Sequence, residues 1–281
     1  MKIFAINKLW FAVLLISSLL SLGGCGGSTD ELTTDSNDNN TTDDFGTGIL
    51  HNAYAEFDDN NVTVVLSGSK VVLETNGLPN HTSPYWSNTT ARSGGGIITA
   101  AAASNHVLFV PPSTTTYSHM APGNIDDFVG TYTLTVANNP SKATSSSATG
   151  LGAIGIAVSG AVIYNDEEGP GIPLDGALSS LDFNGAHTGP QSYHYHLEPI
   201  SFSEDDSNLI GVIADGFFLY GRKCNSTGTY PTDLDESGGH TSITQHSQAA
   251  EYHYHIQNEV YLGSSYILFP GNYQGTANAI R

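Results

Sequence analysis

The chain has 281 residues, of which 12% are charged and 39% hydrophobic, and its formal net charge is −19. So acidic a surface excludes nucleic acid as a partner and an electrostatic hold on anionic lipid, since both are polyanions; it favours cations, although solubility is the plainer reason for it. Two cysteines, Cys25 and Cys224, exclude a disulfide framework, so a hydrophobic core has to hold the fold.

Residues 1–24 carry Lys2 and Lys8, run apolar over 9–22 and close on Leu22-Gly23-Gly24. A basic start, a short apolar run and small residues describe an export signal, and the run is too short for a comfortable transmembrane helix. Its ending on Cys25 resembles the bacterial lipobox, which implies cleavage before Cys25 and a lipid on that residue. An ordinary secretory signal with an incidental cysteine is the alternative. In a Gram-negative cell, Gly26 after the cysteine implies the outer membrane. Losing Lys2 and Lys8 with the signal takes the charge from −19 to −21. Residues 25–48 are rich in Asp, Asn, Thr, Ser and Gly. They cannot bury enough apolar surface to offset their ordering entropy, and they read as a flexible acidic tether. The expectation is an exported protein held at a membrane of the bacterial cell envelope by its N-terminal lipid.

From 49 to 281 the chain reads as an all-β domain. Runs of Val, Ile, Thr and aromatic residues, such as Val62-Thr63-Val64-Val65-Leu66 and Thr131-Tyr132-Thr133-Leu134-Thr135-Val136, alternate with Gly, Asn, Pro and Asp clusters. The alanine-rich stretch 97–104 fits one short helix or a buried strand equally well. Two units, about 151–200 and 208–257, repeat each other. Ile154 through Tyr164 aligns with Ile210 through Tyr220, and Leu181 through Thr188 aligns with Leu234 through Thr241. Tyr193-His194-Tyr195-His196 aligns with Tyr252-His253-Tyr254-His255. The offsets of 56, 53 and 59 keep one order, so only the loops differ. This pattern predicts a β-sandwich-like domain with a pseudo-twofold duplication.

The histidines carry the chemistry. Side chains alternate across a strand, so each tetrapeptide puts two imidazoles on one face and two tyrosines on the other. A third histidine precedes each pair, giving His187, His194 and His196, then His240, His253 and His255. Three imidazoles with an open position make a recurrent catalytic metal arrangement, and zinc or copper is the expected ion. The pattern leaves open one shared site or two. The alternative is a histidine ladder that only stiffens a sheet. On a regular strand the tyrosines belong to the core. Asp182 and Asp235 precede glycines and are read as turn caps rather than histidine orienters. Asp215 replaces Ser159 of the first unit. A buried carboxylate is costly unless paired, so Asp215 is a candidate catalytic base, ligand or orienter, with a strand-end turn as the alternative. Glu198 and Glu251 are weaker candidates, and Cys224 reads as a loop thiol.

These residues resemble the YHYH family of exported bacterial proteins. The resemblance rests on both tetrapeptides, on Ile213-Ala214-Asp215-Gly216-Phe217-Phe218-Leu219-Tyr220-Gly221, and on Leu234-Asp235 followed by Gly239-His240-Thr241. It extends upstream to Thr75-Asn76-Gly77-Leu78-Pro79-Asn80-His81, and covers roughly Asp58 to the C-terminus. It brings in His81 as an additional site candidate. Phe218 stands where members often carry Pro. Phe183-Asn184 and Glu236-Ser237 stand where they often carry a Cys-containing pair, so no thiolate role is expected at those positions. The resemblance implies a domain and no settled activity. Three functional classes follow from the residues: a metal-dependent hydrolase or oxidase acting on an extracellular polymer or small molecule, a non-enzymatic metal handler at the cell surface, or a metal-free Tyr/His protein that binds or cleaves polysaccharide.

Overall fold

The computed structural model describes residues 48–86 and 128–281, apart from 190, 262 and 264. The export signal, the tether with Cys25, and the stretch 97–104 lie outside the described residues. Among the described residues no helix is long and apolar enough to cross a membrane. The architecture is all-β, as the alternation predicts, with only short 3-10 turns between strands.

Strands β1 (Val62–Ser67), β2 (Lys70–Thr75) and β3 (Tyr132–Ala137) form an antiparallel meander. Its first hairpin turns on Gly68, whose φ of +61° lies in the left-handed region that favours glycine. Alternation aims Val71, Leu73, Leu134 and Val136 at one face, where all four are fully buried. Strand β4 (Ser147–Ala148) pairs with 272–273 near the C-terminus.

The repeated units build one eight-stranded sheet. The first contributes β5 (Gly155–Ala157), β6 (Val162–Ile163), β9 (Ala186–Thr188) and β10 (Tyr193–Tyr195). A small hairpin, β7 (Glu167–Gly169) and β8 (Ile172–Pro173), interrupts it. The second unit contributes β11 (Leu209–Ile213), β12 (Phe218–Tyr220), β13 (Gly239–Ser242) and β14 (Glu251–His255). The strand order is β13-β14-β12-β11-β5-β6-β10-β9. This order is a palindrome of equivalent strands about the antiparallel pair β11·β5, as expected of a pseudo-twofold. Each unit pairs its tetrapeptide strand in parallel with its second strand, β10 with β6 and β14 with β12, and antiparallel with the strand carrying its third histidine.

The meander shares one hydrophobic core with the sheet. Its inward residues cluster with Ile156, Val162 and Val212 and with the tetrapeptide tyrosines Tyr193, Tyr195 and Tyr254, all fully buried. The tyrosine face of the eight-stranded sheet is therefore the core face, and the two layers make the sandwich. The histidines are left on the other side.

Candidate metal centres

The third histidine of each unit meets its pair through strand register. His187 lies directly opposite His194, and His240 opposite His253, while His196 and His255 follow two residues along the same face. The imidazole centroids form near-equal triangles, 4.6, 5.0 and 4.8 Å on a side in the first unit and 5.0, 5.1 and 4.8 Å in the second. Potential ligand atoms within each cluster all lie within 4.8 Å of one another. Strands β10 and β14 are five inter-strand steps apart, roughly 24 Å along the sheet at ~4.8 Å per step. The six histidines therefore make two clusters rather than one shared site.

Each ring is oriented by an oxygen at Nδ1, and the oxygens obey the repeat. His194 and His253 reach the carbonyls of Ser192 and Glu251, two residues back, both at 3.0 Å. His196 and His255 reach the carbonyls of the equivalent residues Asn165 and Gly221, at 2.6 and 2.7 Å. His187 meets the Ser180 hydroxyl at 2.8 Å, and His240 the equivalent Asp233 carboxylate at 2.9 Å. An N–H donated from Nδ1 to a carbonyl or carboxylate leaves Nε2 with its lone pair, the tautomer a metal requires. In the first cluster Nε2 of His196 is buried with no hydrogen-bond partner. In the second, Nε2 of His253 and Nε2 of His255 converge to 3.0 Å.

Burial keeps His187, His194, His196, His253 and His255 neutral. It lowers His187 and His253 to about 3 and His196 and His255 to about 4, with a second imidazole of the cluster adding to the depression at His187 and His253. His194, beneath the Tyr164 ring at a centroid distance of 3.8 Å, is pushed well below the usual histidine range by burial and then by His196 and His187. Neutral, close-packed imidazoles are unfavourable proton acceptors and competent metal ligands.

Cys224, read from sequence as a loop thiol, joins the second cluster. It is 1% exposed and sits with His240, His253 and His255. Burial works against its thiolate, but hydrogen bonds with Ser226 (3.1 Å) and Ser242 (3.3 Å) and the nearby His240 outweigh it and lower the thiol below its ordinary value. The spacing that aligns Ile154 with Ile210 also aligns Glu168 with Cys224, a signal present in the sequence but not used.

Asp215 lies elsewhere, which corrects the expectation of a catalytic base. Its Oδ2 accepts from Tyr254 Oη at 2.5 Å and the Gly275 N–H at 3.0 Å, and its Oδ1 accepts from the Phe217 N–H. These are contacts of the core face, because a side chain that reaches Tyr254 stands on the side opposite His253 and His255. The equivalent Ser159 bonds the equivalent Tyr195 at 2.8 Å. Asp182 and Asp235 cap their turns as expected, accepting from the N–H groups of Asn184 and Ala186 and of Ser237 and Gly239. They also anchor Tyr193 (2.6 Å) and Tyr252 (3.0 Å). His81 is likewise on the tyrosine side, 2.5 Å from Tyr195 Oη, and is not in the imidazole clusters. Glu198 pairs with Arg222 and Glu251 with His51, each at 2.8 Å. Each tetrapeptide hydroxyl is thus engaged as a core anchor, so the tetrapeptide tyrosines do not reach the imidazole face, where Tyr164 is the tyrosine stacked on His194.

The fold and the clusters define a duplicated β domain with two imidazole sites compatible with metal binding. Residues 131–232 match the model of a family described as YHYH protein, so this part of the chain is a YHYH domain. The match takes in the first tetrapeptide and the 213–221 segment across the β11–β12 turn, and ends before the second tetrapeptide. No curated protein and no solved structure matches the chain.

Proposed function

We propose that this is an exported, lipid-anchored protein whose YHYH domain binds two transition-metal ions, one in each half, with zinc or copper the best-suited ions. His187, His194 and His196 hold the first; His240, His253, His255 and the Cys224 thiolate hold the second. The observation that carries this reading is the repeated orientation of all six rings by oxygens at Nδ1, which turns the six Nε2 lone pairs toward the two sites; at His240 that nitrogen now meets the Ser242 hydroxyl at 3.2 Å, which an ion would displace. A ladder that merely stiffened a sheet would not need three rings packed edge to face, nor the buried Nε2 of His196 left without a hydrogen-bond partner. The second site has four donors of the N and S type that zinc and copper prefer, and the first has three.

Elemental analysis of the full chain after metal loading and desalting tests this. Two ions per chain are expected, one in His194→Ala or His253→Ala, and none in the double variant. A wild-type chain that retains no metal refutes the proposal.

A further inference from the structure

The two centres differ at one repeat position. The offset of 56 residues that aligns Asn165 with Gly221 aligns Glu168 with Cys224. Cys224 is buried beside its three histidines. The Glu168 carboxylate, on the β7–β8 hairpin, has its Oε2 3.5 Å from His187 Nε2 and 4.0 Å from His196 Nε2. Ligands about 2.0–2.1 Å from a tetrahedral ion are roughly 3.4 Å apart along each edge. Glu168 Oε2 therefore stands close to the fourth vertex of the first centre, as Cys224 does at the second.

The chemistry of the two fourth groups is opposite. A buried thiolate binds zinc or copper strongly and exchanges reluctantly. A single carboxylate oxygen on a surface hairpin, with its side chain 37% exposed, is a weaker and more easily displaced partner. Beside it opens a pocket of about 360 Å³, lined by Tyr164, Glu167 and Glu168 together with the three imidazoles. The buried, unpartnered Nε2 of His196 belongs to the same site.

We infer that the first-half centre is the reactive one: a small oxygen-donor ligand, of the carboxylate, carbonyl or hydroxamate class, enters this pocket and takes the vertex that Glu168 holds. The second-half centre is closed by Cys224 and is structural. Glu167 on the pocket wall adds negative charge, so the remainder of the ligand is neutral or cationic rather than polyanionic. This inference rests on the metal reading of both sites and adds an order between them.

The test uses the full chain in detergent, loaded with cobalt(II) and titrated with acetohydroxamate while the visible spectrum is followed. Cobalt content is measured first. A chain that holds no cobalt at the histidine clusters overturns the metal reading, and this inference falls with it. With two cobalt ions bound, one acetohydroxamate per chain is expected. Glu168→Ala keeps both ions and binds the probe about tenfold more tightly, because the competing oxygen is gone; tenfold corresponds to ~1.4 kcal/mol. Cys224→Ser opens the second vertex and raises the stoichiometry to two. Zero or two probe molecules on the doubly loaded wild type, or a Glu168→Ala affinity equal to or weaker than wild type, overturns the inference while leaving the metal reading standing.

Discussion

Asp215→Ala removes a carboxylate that is 3% exposed and accepts three hydrogen bonds, from Tyr254 Oη, Gly275 N–H and Phe217 N–H. Each buried donor left without an acceptor costs about 1–3 kcal/mol. Part of that is offset, because burial raises the pKa of Asp215 against the lowering effect of its three donors, so the ionised carboxylate is itself costly. The net loss is about 3 kcal/mol, or roughly 6–12 °C in the melting temperature of a domain this size. The first unit supplies its own control. Ser159 bonds Tyr195 with a hydroxyl where Asp215 uses a carboxylate. Asp215→Ser restores the bond to Tyr254 but not those to the two backbone N–H groups, so it loses about two-thirds as much. Thermal unfolding of the metal-free protein, paired with metal analysis of the loaded protein, reads both quantities. Both variants are expected to retain two ions per chain. An Asp215→Ala variant that melts with the wild type yet loses an ion would place Asp215 in the metal chemistry and refute its role as a core anchor.

Two further outcomes follow from the same geometry. The folded-state pKa values of His187, His196, His253 and His255 lie at about 3–4 and that of His194 well below normal, all beneath the unfolded value of about 6.5. The unfolded chain takes up protons that the folded chain refuses, so stability is complete above pH 6.5 and falls as the pH drops toward 4. Each histidine contributes at most ~1.4 kcal/mol per pH unit, enough for the five to unfold the metal-free protein within that window. Urea midpoints that stay level from pH 7 to 4 would contradict neutral, buried imidazoles. At the turn before each third histidine, Gly185 and Gly238 are equivalent, with φ of +65° and +77°. A Cβ at Gly185 would fall on the Cβ and Cα of Leu197, whereas at Gly238 it would meet the movable end of Gln257 at 2.8 Å. Both alanine variants pay the left-handed strain of about 1–2 kcal/mol, and Gly185→Ala loses more stability than Gly238→Ala. Equal losses would show that the Leu197 contact relaxes freely.

Much of this was legible in the chain. The period of two in Tyr-His-Tyr-His assigned histidines and tyrosines to opposite faces, and the ordered blocks of the repeat fixed which strands are equivalent. The turn caps at Asp182 and Asp235 followed from Asp before Gly. What escaped the reading was set by tertiary structure. Whether six histidines gather once or twice depends on the order of strands in the sheet, which puts β10 and β14 near opposite ends. Asp215 looked like chemistry because it broke the repeat, but its break replaces one partner of a buried tyrosine with another. Cys224, after Arg222-Lys223, reads as a loop thiol; the turn after β12 carries it to β13 and β14. Aligning the units residue by residue beyond Tyr220 would have set Cys224 against Glu168 and marked both.

The most direct measurement is anomalous diffraction from crystals of the metal-loaded chain, collected across the edge of the bound metal. Two peaks are expected, one in each half of the sheet. The first should be about 2.0–2.1 Å from Nε2 of His187, His194 and His196. The second should be about the same distance from Nε2 of His240, His253 and His255, with Cys224 Sγ at about 2.3 Å. A single peak, or peaks away from both histidine clusters, would contradict two duplicated metal centres.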